Sequence, residues 1–397
     1  MTKDPATKNK LRLIFVQPGY SSYRQPLLEK LKENYDVTIF FVKDPKSTFS
    51  GNHNMEPTER LSVSREKVFF NYLLLIGRYF DLLLLMMKND YSVIVTSISI
   101  SPQTLIALLI SKIKRKKLVY WVEEWFLPKR RNLREWMKLF PIILAAKIVL
   151  GNANAIVVEG KPQFKYVRNF NVPKERIFFS NHSSLDFSKF DGVDLRDKLE
   201  FNNGSIILFV GRIIQVKGLD ILIKAFHRLS QENPDASLVI CGDGDFRSYC
   251  ERLVKELGTN TVFFQGQVLD QAQLASYYKT ADVVVVPSLI SLYAEGWGLV
   301  VNEAMSMGKP IITTNATGAA LDLVEDGING YVVNHGNIDQ LYLALKRILG
   351  NTQLIDFMGR NSRRKFEDFN DFHKMFEGFR NAINYVDPAK LRESSAN

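Results

Sequence analysis

Four side chains in the second half of this chain have types and spacing that suit a ligand carrying both hydroxyls and anionic charge. Glu295 sits in a glycine-rich turn, Glu-Gly-Trp-Gly, just after the apolar run VVVVP. Glu303 returns after seven intervening residues, one turn inside a helix predicted over 299–307 and stopped by Gly308-Lys309-Pro310. Carboxylates accept from hydroxyls, and the exposed N–H groups at a helix start attract phosphate. Upstream, Arg212 and Lys217 in GRIIQVKGL offer two cations between a predicted strand and a helix starting near Leu219. Fixed cations and helix N-termini hold an anion without a metal. With a diphosphate leaving group they would stabilise the charge that grows on the bridging oxygen. Taken singly, each of the four also looks like an ordinary surface residue.

Positioning these groups is the task of alternating strands and helices. Short β-branched and aromatic runs predict strands at 11–17, 36–42, 92–97, 117–123, 155–160 and 177–181, with helices between. The pattern restarts with strands at 205–211, 237–242, 261–266, 282–288 and 310–315, and the chain after Ile338 reads as helical to about Tyr385. Such runs, separated by helices, argue for parallel sheets covered on both faces. The economical fit is two doubly wound α/β domains. Their bounds are expected at 1–183 and 205–368, with a linker over 184–204 and a C-terminal segment, 369–397, returning towards the first domain before a frayed tail. Residues 43–66 read as an irregular loop. Ligands of such sheets bind beyond the carboxyl ends of the strands. Gln17-Pro-Gly19, Gly211-Arg212, Gly242-Asp-Gly-Asp and Glu295-Gly-Trp-Gly all fall there, which places the site in a cleft between the domains. Asp243-Gly-Asp245 has the look of a metal-binding Asp-x-Asp, but its place after a strand predicts turn and N-cap duty instead.

At 397 residues and 46% hydrophobic content the chain can bury a sizeable core in two or three domains. Cys241 and Cys250 supply no disulfide framework, and the N-terminus lacks the apolar segment of a signal peptide, so a cytoplasmic setting is expected. Net charge is +10 and uneven: residues 1–190 hold 31 Lys and Arg against 16 Asp and Glu. The first half should therefore face an anionic partner or simply a solvated surface. Lys112, Lys114–Lys117 and Lys129, Arg130, Arg131, Arg134, Lys138 form two cationic clusters, the second interleaved with Trp125, Phe126, Trp136 and Leu139. That mixture suits peripheral contact with an anionic membrane. No nucleic-acid motif accompanies it, and nucleic acid is not expected as a partner. Val68–Met87 approaches spanning length, but Asn71, Arg78 and Asp81 make a core or interface helix the better reading.

Six blocks carry a family resemblance: GRIIQVKGLDILIKAF, ICGDGDF, FFQGQV, ADVVVVPS, EGWGLVVNEAMSMGKPII and VEDGINGYVV. In order and spacing, over roughly Ser205–Val333, the chain resembles the donor-binding half of retaining GT-B glycosyltransferases of glycosyltransferase family 4. The first domain is similar only at YRQPLLEKL and in its α/β plan. The resemblance implies two Rossmann-like domains facing a central cleft, with C-terminal helices crossing back to the first. It implies that Arg212 and Lys217 contact the donor diphosphate and that Glu295 holds hydroxyls of the transferred sugar. Gly298, Leu299 and Val300 would meet sugar and phosphate oxygens, Glu303 the ribose, Val268 the base, and Gly19 the diphosphate. Asp322 and Glu325 receive no role. Where many members carry a histidine after the strand KLVYWV, this chain has Glu123-Glu124-Trp125. Glu124 either polarises the acceptor hydroxyl or is a strand-end residue facing solvent.

The function so implied is transfer from a nucleoside-diphosphate sugar, UDP- or GDP-linked, to a glycan, lipid-linked or other hydroxyl acceptor at the inner face of a membrane. Retention of configuration, metal independence and a place in surface-glycan synthesis are expected. An inert GT-B-like binding subunit, a sugar-nucleotide epimerase and a phosphorylase are the competing readings.

Overall fold

The computed structural model describes residues 10–19, 22–42, 71–98, 101–127, 133–196, 204–291 and 294–388. The expected loop at 43–66, the cations Lys129, Arg130 and Arg131, and the tail beyond 388 lie outside them. Uninterrupted apolar runs build the sheets. β1 (Arg12–Gln17) leads through α1 (Gln25–Asn34) to β2 (Asp36–Phe41). Then come α2 (Asn71–Lys88), β3 (Val93–Ser97), α3 (Pro102–Ile113), β4 (Lys117–Val122) and α4 (Leu133–Asn152), with β5 (Ala155–Val158), α5 (Lys161–Arg168) and β6 (Ile177–Phe179) after them. These strands form one parallel sheet in the order β2-β1-β3-β4-β5-β6. Every residue of β3 and β5 is buried, as a sheet covered on both faces requires.

The second sheet contains β7 (Ile206–Val210), β8 (Ser237–Cys241), β9 (Val262–Gly266), β10 (Val283–Val286), β11 (Ile311–Thr314) and β12 (Gly330–Val333). Between them run α6 (Leu219–Glu232), α7 (Arg247–Leu257), α8 (Gln271–Thr280), α9 (Val300–Ser306) and α10 (Ala320–Leu323). After β12 follow α11 (Ile338–Leu349), α12 (Thr352–Phe369) and α13 (Phe372–Val386). Its order, β12-β11-β10-β7-β8-β9, reverses direction between β7 and β10, and a crevice opens at such a switch point. The two-domain, doubly wound architecture is as the sequence predicts.

Helix α13 belongs to the second half of the sequence and to the core of the first domain. Met375, Phe376, Phe379 and Ile383 pack with Leu27, Leu31, Phe15 and Trp121 on one face of the first sheet. The opposite face is covered by α2, α3 and α4 through Leu82, Met86, Ala107, Leu108, Ala146 and Val149. Two crossings therefore join the domains, and they are tied to each other. Ser184 N donates to Asn370 Oδ1 at 2.7 Å, and Asn370 Nδ2 donates back to Ser184 O at 3.0 Å. Ser180 Oγ reaches Met375 O at 2.8 Å. A side chain at Gly378 would meet Phe179 O at 2.2 Å, so only glycine lets the returning helix lie this close to β6.

Some local expectations change. The strand β12 is an addition, short and begun by Gly330, whose missing side chain admits Ile311 O. Asp243-Gly-Asp245 makes a turn but no N-cap: α7 starts at Arg247 behind Phe246, without a side-chain cap. Asp243 instead accepts from Gly244 N at 2.8 Å and pairs with Arg247 at 3.5 Å. The expected linker is packed over its described part, with Phe187 buried and Asp186 paired to Arg363 at 2.8 Å. Among the described residues no helix is long and apolar enough to cross a membrane.

Phe379 stands edge-on to Trp121 at 5.2 Å between ring centroids and lies 5.9 Å from Phe15. Phe379→Ala should cost about 3–5 kcal/mol. A lowered denaturation midpoint reports that loss, and an unchanged midpoint would mean that α13 does not anchor the first domain.

Candidate active site

The loops that follow β7 and β10 meet at the switch point of the second sheet. After β7 the chain turns at Gly211 (φ +151°), makes a single 3₁₀ turn over Gln215–Lys217 and reverses at Gly218 (φ +66°). A side chain at Gly218 would meet Pro287 O at 2.1 Å, and Leu289 N donates to Val216 O at 2.8 Å. The two loops are thus pressed together, which sets Lys217 against Glu295. Lys217 Nζ pairs with Glu295 Oε1, and Ser288 Oγ donates to Glu295 Oε2. Both carboxylate oxygens are occupied, with the side chains only 15% (Glu295) and 21% (Lys217) exposed.

Beyond Glu295 the chain passes Gly298 (φ +91°), where a side chain would crowd Thr317 at 2.6 Å, and enters α9. Glu303 lies in the first turn of this helix. Burial pushes its carboxyl above the ordinary range, while a 2.6 Å hydrogen bond from Tyr278 Oη to Oε2 pulls the other way. Burial and the neighbouring Glu303 hold the Tyr278 hydroxyl well above its usual value, so it stays a donor. Leu299, Val300 and Val268 are partly buried against the apolar cluster beneath. Arg212 is exposed. Among the described residues no hydrogen bond or ion pair joins Arg212, Gly19 or Val268 to the two carboxylates. Cys241 and Cys250 are buried with thiols pushed up to about 12, which leaves them inert as nucleophiles at neutral pH.

The first domain closes on this turn. Trp125 Nε1 donates to Glu295 O at 2.6 Å and Gln163 Nε2 to Gly296 O at 3.1 Å. Glu124, beside Trp125, accepts from Tyr120 Oη at 2.8 Å. Its neighbour Glu123 pairs at 3.1 Å with buried Arg24, which also donates to Gln17 and lies 4.6 Å over the Trp121 ring. Burial disfavours the Arg24 charge, but Glu123, Tyr23 and Glu159 together outweigh it and the guanidinium is held above its usual value.

Sequence reasoning did not single out the group behind the turn. His182 Nδ1 lies 2.6 Å from Glu159 Oε1, with both side chains buried. The imidazole stacks on Trp297 (5.9 Å, 13°), and Trp297 stacks in turn on Phe369 (5.7 Å, 13°). Trp297 Nε1 donates to Asn302 Oδ1 at 2.8 Å, and Asn302 Nδ2 donates to His182 O at 3.1 Å. One closed circuit therefore fixes the residue two after Glu295 and the residue before Glu303. Asp322, given no role from sequence, accepts from Lys161 N across the domains at 2.8 Å, and burial raises its carboxyl. Glu159 and His182 both follow strands at the carboxyl edge, a position that could have flagged them.

The fold so built is GT-B, two Rossmann-like domains facing a cleft. Residues 193–365, the second domain, match the family model described as Glycosyl transferases group 1. An uncharacterized glycosyltransferase of Methanocaldococcus jannaschii is 30% identical over 204 residues, 49% of this chain and 50% of that protein. The capsular polysaccharide biosynthesis glycosyltransferase CapM of Staphylococcus aureus is 27% identical over 242 residues, 58% of this chain and 61% of CapM. The matches thus span about half the length of these curated relatives. Anabaena HepE, crystallised with UDP and glucose, superposes with a TM-score of 0.69 at 17% identity, covering 94% of this chain and 99% of that one.

His182→Ala leaves the Glu159 carboxylate buried without its partner, at an expected cost of about 3 kcal/mol. Unfolding by denaturant measures it. Combined with Glu159→Ala the cost should be less than the sum of the two single changes; strict additivity would show that the pair does not interact.

Proposed function

We propose that this protein transfers a glycosyl group from a nucleoside-diphosphate sugar to a hydroxyl acceptor with retention of anomeric configuration. The observation that carries this reading is the meeting of Lys217, Glu295 and the Glu303 helix at the switch point of the second sheet. Glu303 accepts from the ribose hydroxyls, and Val268 borders the base. The Lys217–Glu295 pair keeps both groups in place until the donor arrives. The ammonium then offers its remaining hydrogens to the diphosphate, and Glu295 offers lone pairs to sugar hydroxyls. Exposed Arg212 folds onto the phosphates, with Gly19 approaching from the first domain and the N–H groups of Gly298, Leu299 and Val300 from the second.

As the bond from the anomeric carbon to the diphosphate oxygen breaks, negative charge grows between Arg212 and Lys217, which stabilise it more than the ground state. These two cations do the work that a metal does elsewhere. The acceptor oxygen bonds the same carbon on the same face, and its proton passes to the departing phosphate. Glu124, carried next to the donor turn by Trp125, orients that acceptor hydroxyl. The likeness to CapM supports surface polysaccharide as the product, and the reading takes a UDP- or GDP-sugar as donor and sets the reaction at the cytoplasmic face of the membrane.

Nucleotide release from a panel of UDP- and GDP-sugars tests this. Glu303→Ala should raise the donor KM about 10–100-fold by removing charge-assisted hydrogen bonds. Arg212→Ala should lower kcat about 100-fold with little effect on KM. Release from no donor, or unchanged kinetics in both variants, removes the assignment.

Tyr278→Phe gives a pH signature. The hydroxyl lowers the Glu303 pKa, so its loss raises it further, and the ionised carboxylate disappears at a higher pH on the way down. The acid limb of donor 1/KM should therefore move to higher pH, whereas a limb that stays put would deny Glu303 its place at the donor.

A further inference from the structure

Helices α2, α3 and α4 form one layer on the first sheet, with α3 between and against the other two. Their inner faces fill the core, and their outer faces are apolar as well. On α3, Leu105, Leu109 and Ile113 recur every fourth residue and are 42%, 58% and 60% exposed. On α4, Met137, Phe140, Leu144 and Ile148 follow helical spacing along one side, from 59% exposed at Met137 to 42% at Ile148. Phe80 and Met87 extend the patch over α2, 57% and 46% exposed. These nine are half of the large hydrophobic side chains exposed among the described residues. Apolar side chains exposed in rows on three adjacent helices mark a docking site rather than scattered exposure.

Exposed cations neighbour these residues along the helices. Lys88 follows Met87, Lys112 precedes Ile113, Lys138 follows Met137, Lys147 precedes Ile148, and Arg134 lies one turn before Lys138. All five are exposed, and none has an acidic partner among the described residues. By contrast, Lys114 is spent on the carbonyls of Met86, Met87 and Asn89, and Lys116 on Asp90. Asp81 is the one acid among the described side chains of the three helices, and it is half-buried.

We propose that this three-helix face lies on an anionic lipid bilayer, its apolar side chains in the acyl boundary and its cations at the headgroups. The charge pattern selects this occupant. A second copy seated on the same face would bring five cations against five with no exposed acid among the described side chains of the three helices. Nucleic acid would use the cations and leave nine apolar side chains in water. Helices too polar to cross the bilayer, with apolar and cationic residues interleaved, lie in its interface. This inference does not rest on the transferase reading, and its test uses no substrate.

Co-sedimentation of the full chain with vesicles of phosphatidylcholine, alone or doped with phosphatidylglycerol, decides the matter. Binding should require the anionic lipid and weaken with salt. Leu109→Glu with Phe140→Glu should reduce it at least tenfold, and Lys138→Gln with Lys147→Gln about fivefold per cation. Exposed lysines leave folding intact, so the second pair keeps the test sharp should the first unfold. Equal binding by wild type and both variants, or no binding by the wild type, overturns the proposal. So does a concentration-dependent dimer, seen by sedimentation velocity, that the Leu109 and Phe140 changes abolish.

Discussion

The ion pair between Lys217 and Glu295 organises the second domain's cleft. It exists because the sheet order reverses between β7 and β10, which sets the loops after those strands side by side. It is tight because Gly218 and Gly298 each stand where a side chain would strike the neighbouring loop. Two opposite charges held together in a half-buried site have little reason to swing into solvent. Such a pair offers an ammonium to phosphate oxygens and a carboxylate to hydroxyls, the two kinds of group that the proposed donor carries. The same argument explains the second carboxylate. Glu303 sits deeper, where burial raises its carboxyl, and a hydrogen bond from Tyr278 pulls the other way.

The Glu295 turn is not the property of one domain. Trp125 and Gln163 bind its carbonyls from the first domain, while His182, at the crossing between domains, stacks on its tryptophan. Any movement of the domains must therefore carry through Trp297 and Asn302 to the residues flanking Glu295 and Glu303. The two crossings are stitched by Ser184 and Asn370, so they move as one strap rather than two independent tethers. The stack of His182, Trp297 and Phe369 thus ties the domain crossing to the turn that carries Glu295.

What the sequence makes legible is whatever rests on local pattern. Runs such as IILFV and VVVV place strands within a residue or so of where they form, because a strand buried on both faces admits few polar residues. The glycine turns are legible too, since each marks a backbone path that other residues cannot follow. Elements that depend on distant partners are hidden. His182 and Trp297 are over a hundred residues apart, and neither has a sequence neighbour that announces the stack. Asp243 looked like a cap because it follows a strand, but α7 begins four residues on, and the carboxylate serves the turn. On α4 the interleaving of cations and apolar residues is legible, but Leu139 turns into the core while Met137, Phe140, Leu144 and Ile148 face outward: in one dimension an exposed leucine and a core leucine read alike, and only the packing of the layer separates them.

The charge asymmetry between the halves then acquires a physical sense. A donor domain that binds a soluble anion needs few cations, each fixed and directed, and a net negative remainder does no harm. A domain that rests on an extended anionic surface needs cations that are many, exposed and unpaired, because each contributes modestly and independently. Lys112, Arg134, Lys138 and Lys147 are of that second kind, whereas Lys217 is of the first. The apolar stripes beside the unpaired cations add a term that salt does not screen, so charge governs approach and burial governs residence. On the two proposals made above, the halves divide the work: the second domain presents few, fixed cations to a soluble anion, and the first presents many exposed ones to an extended surface.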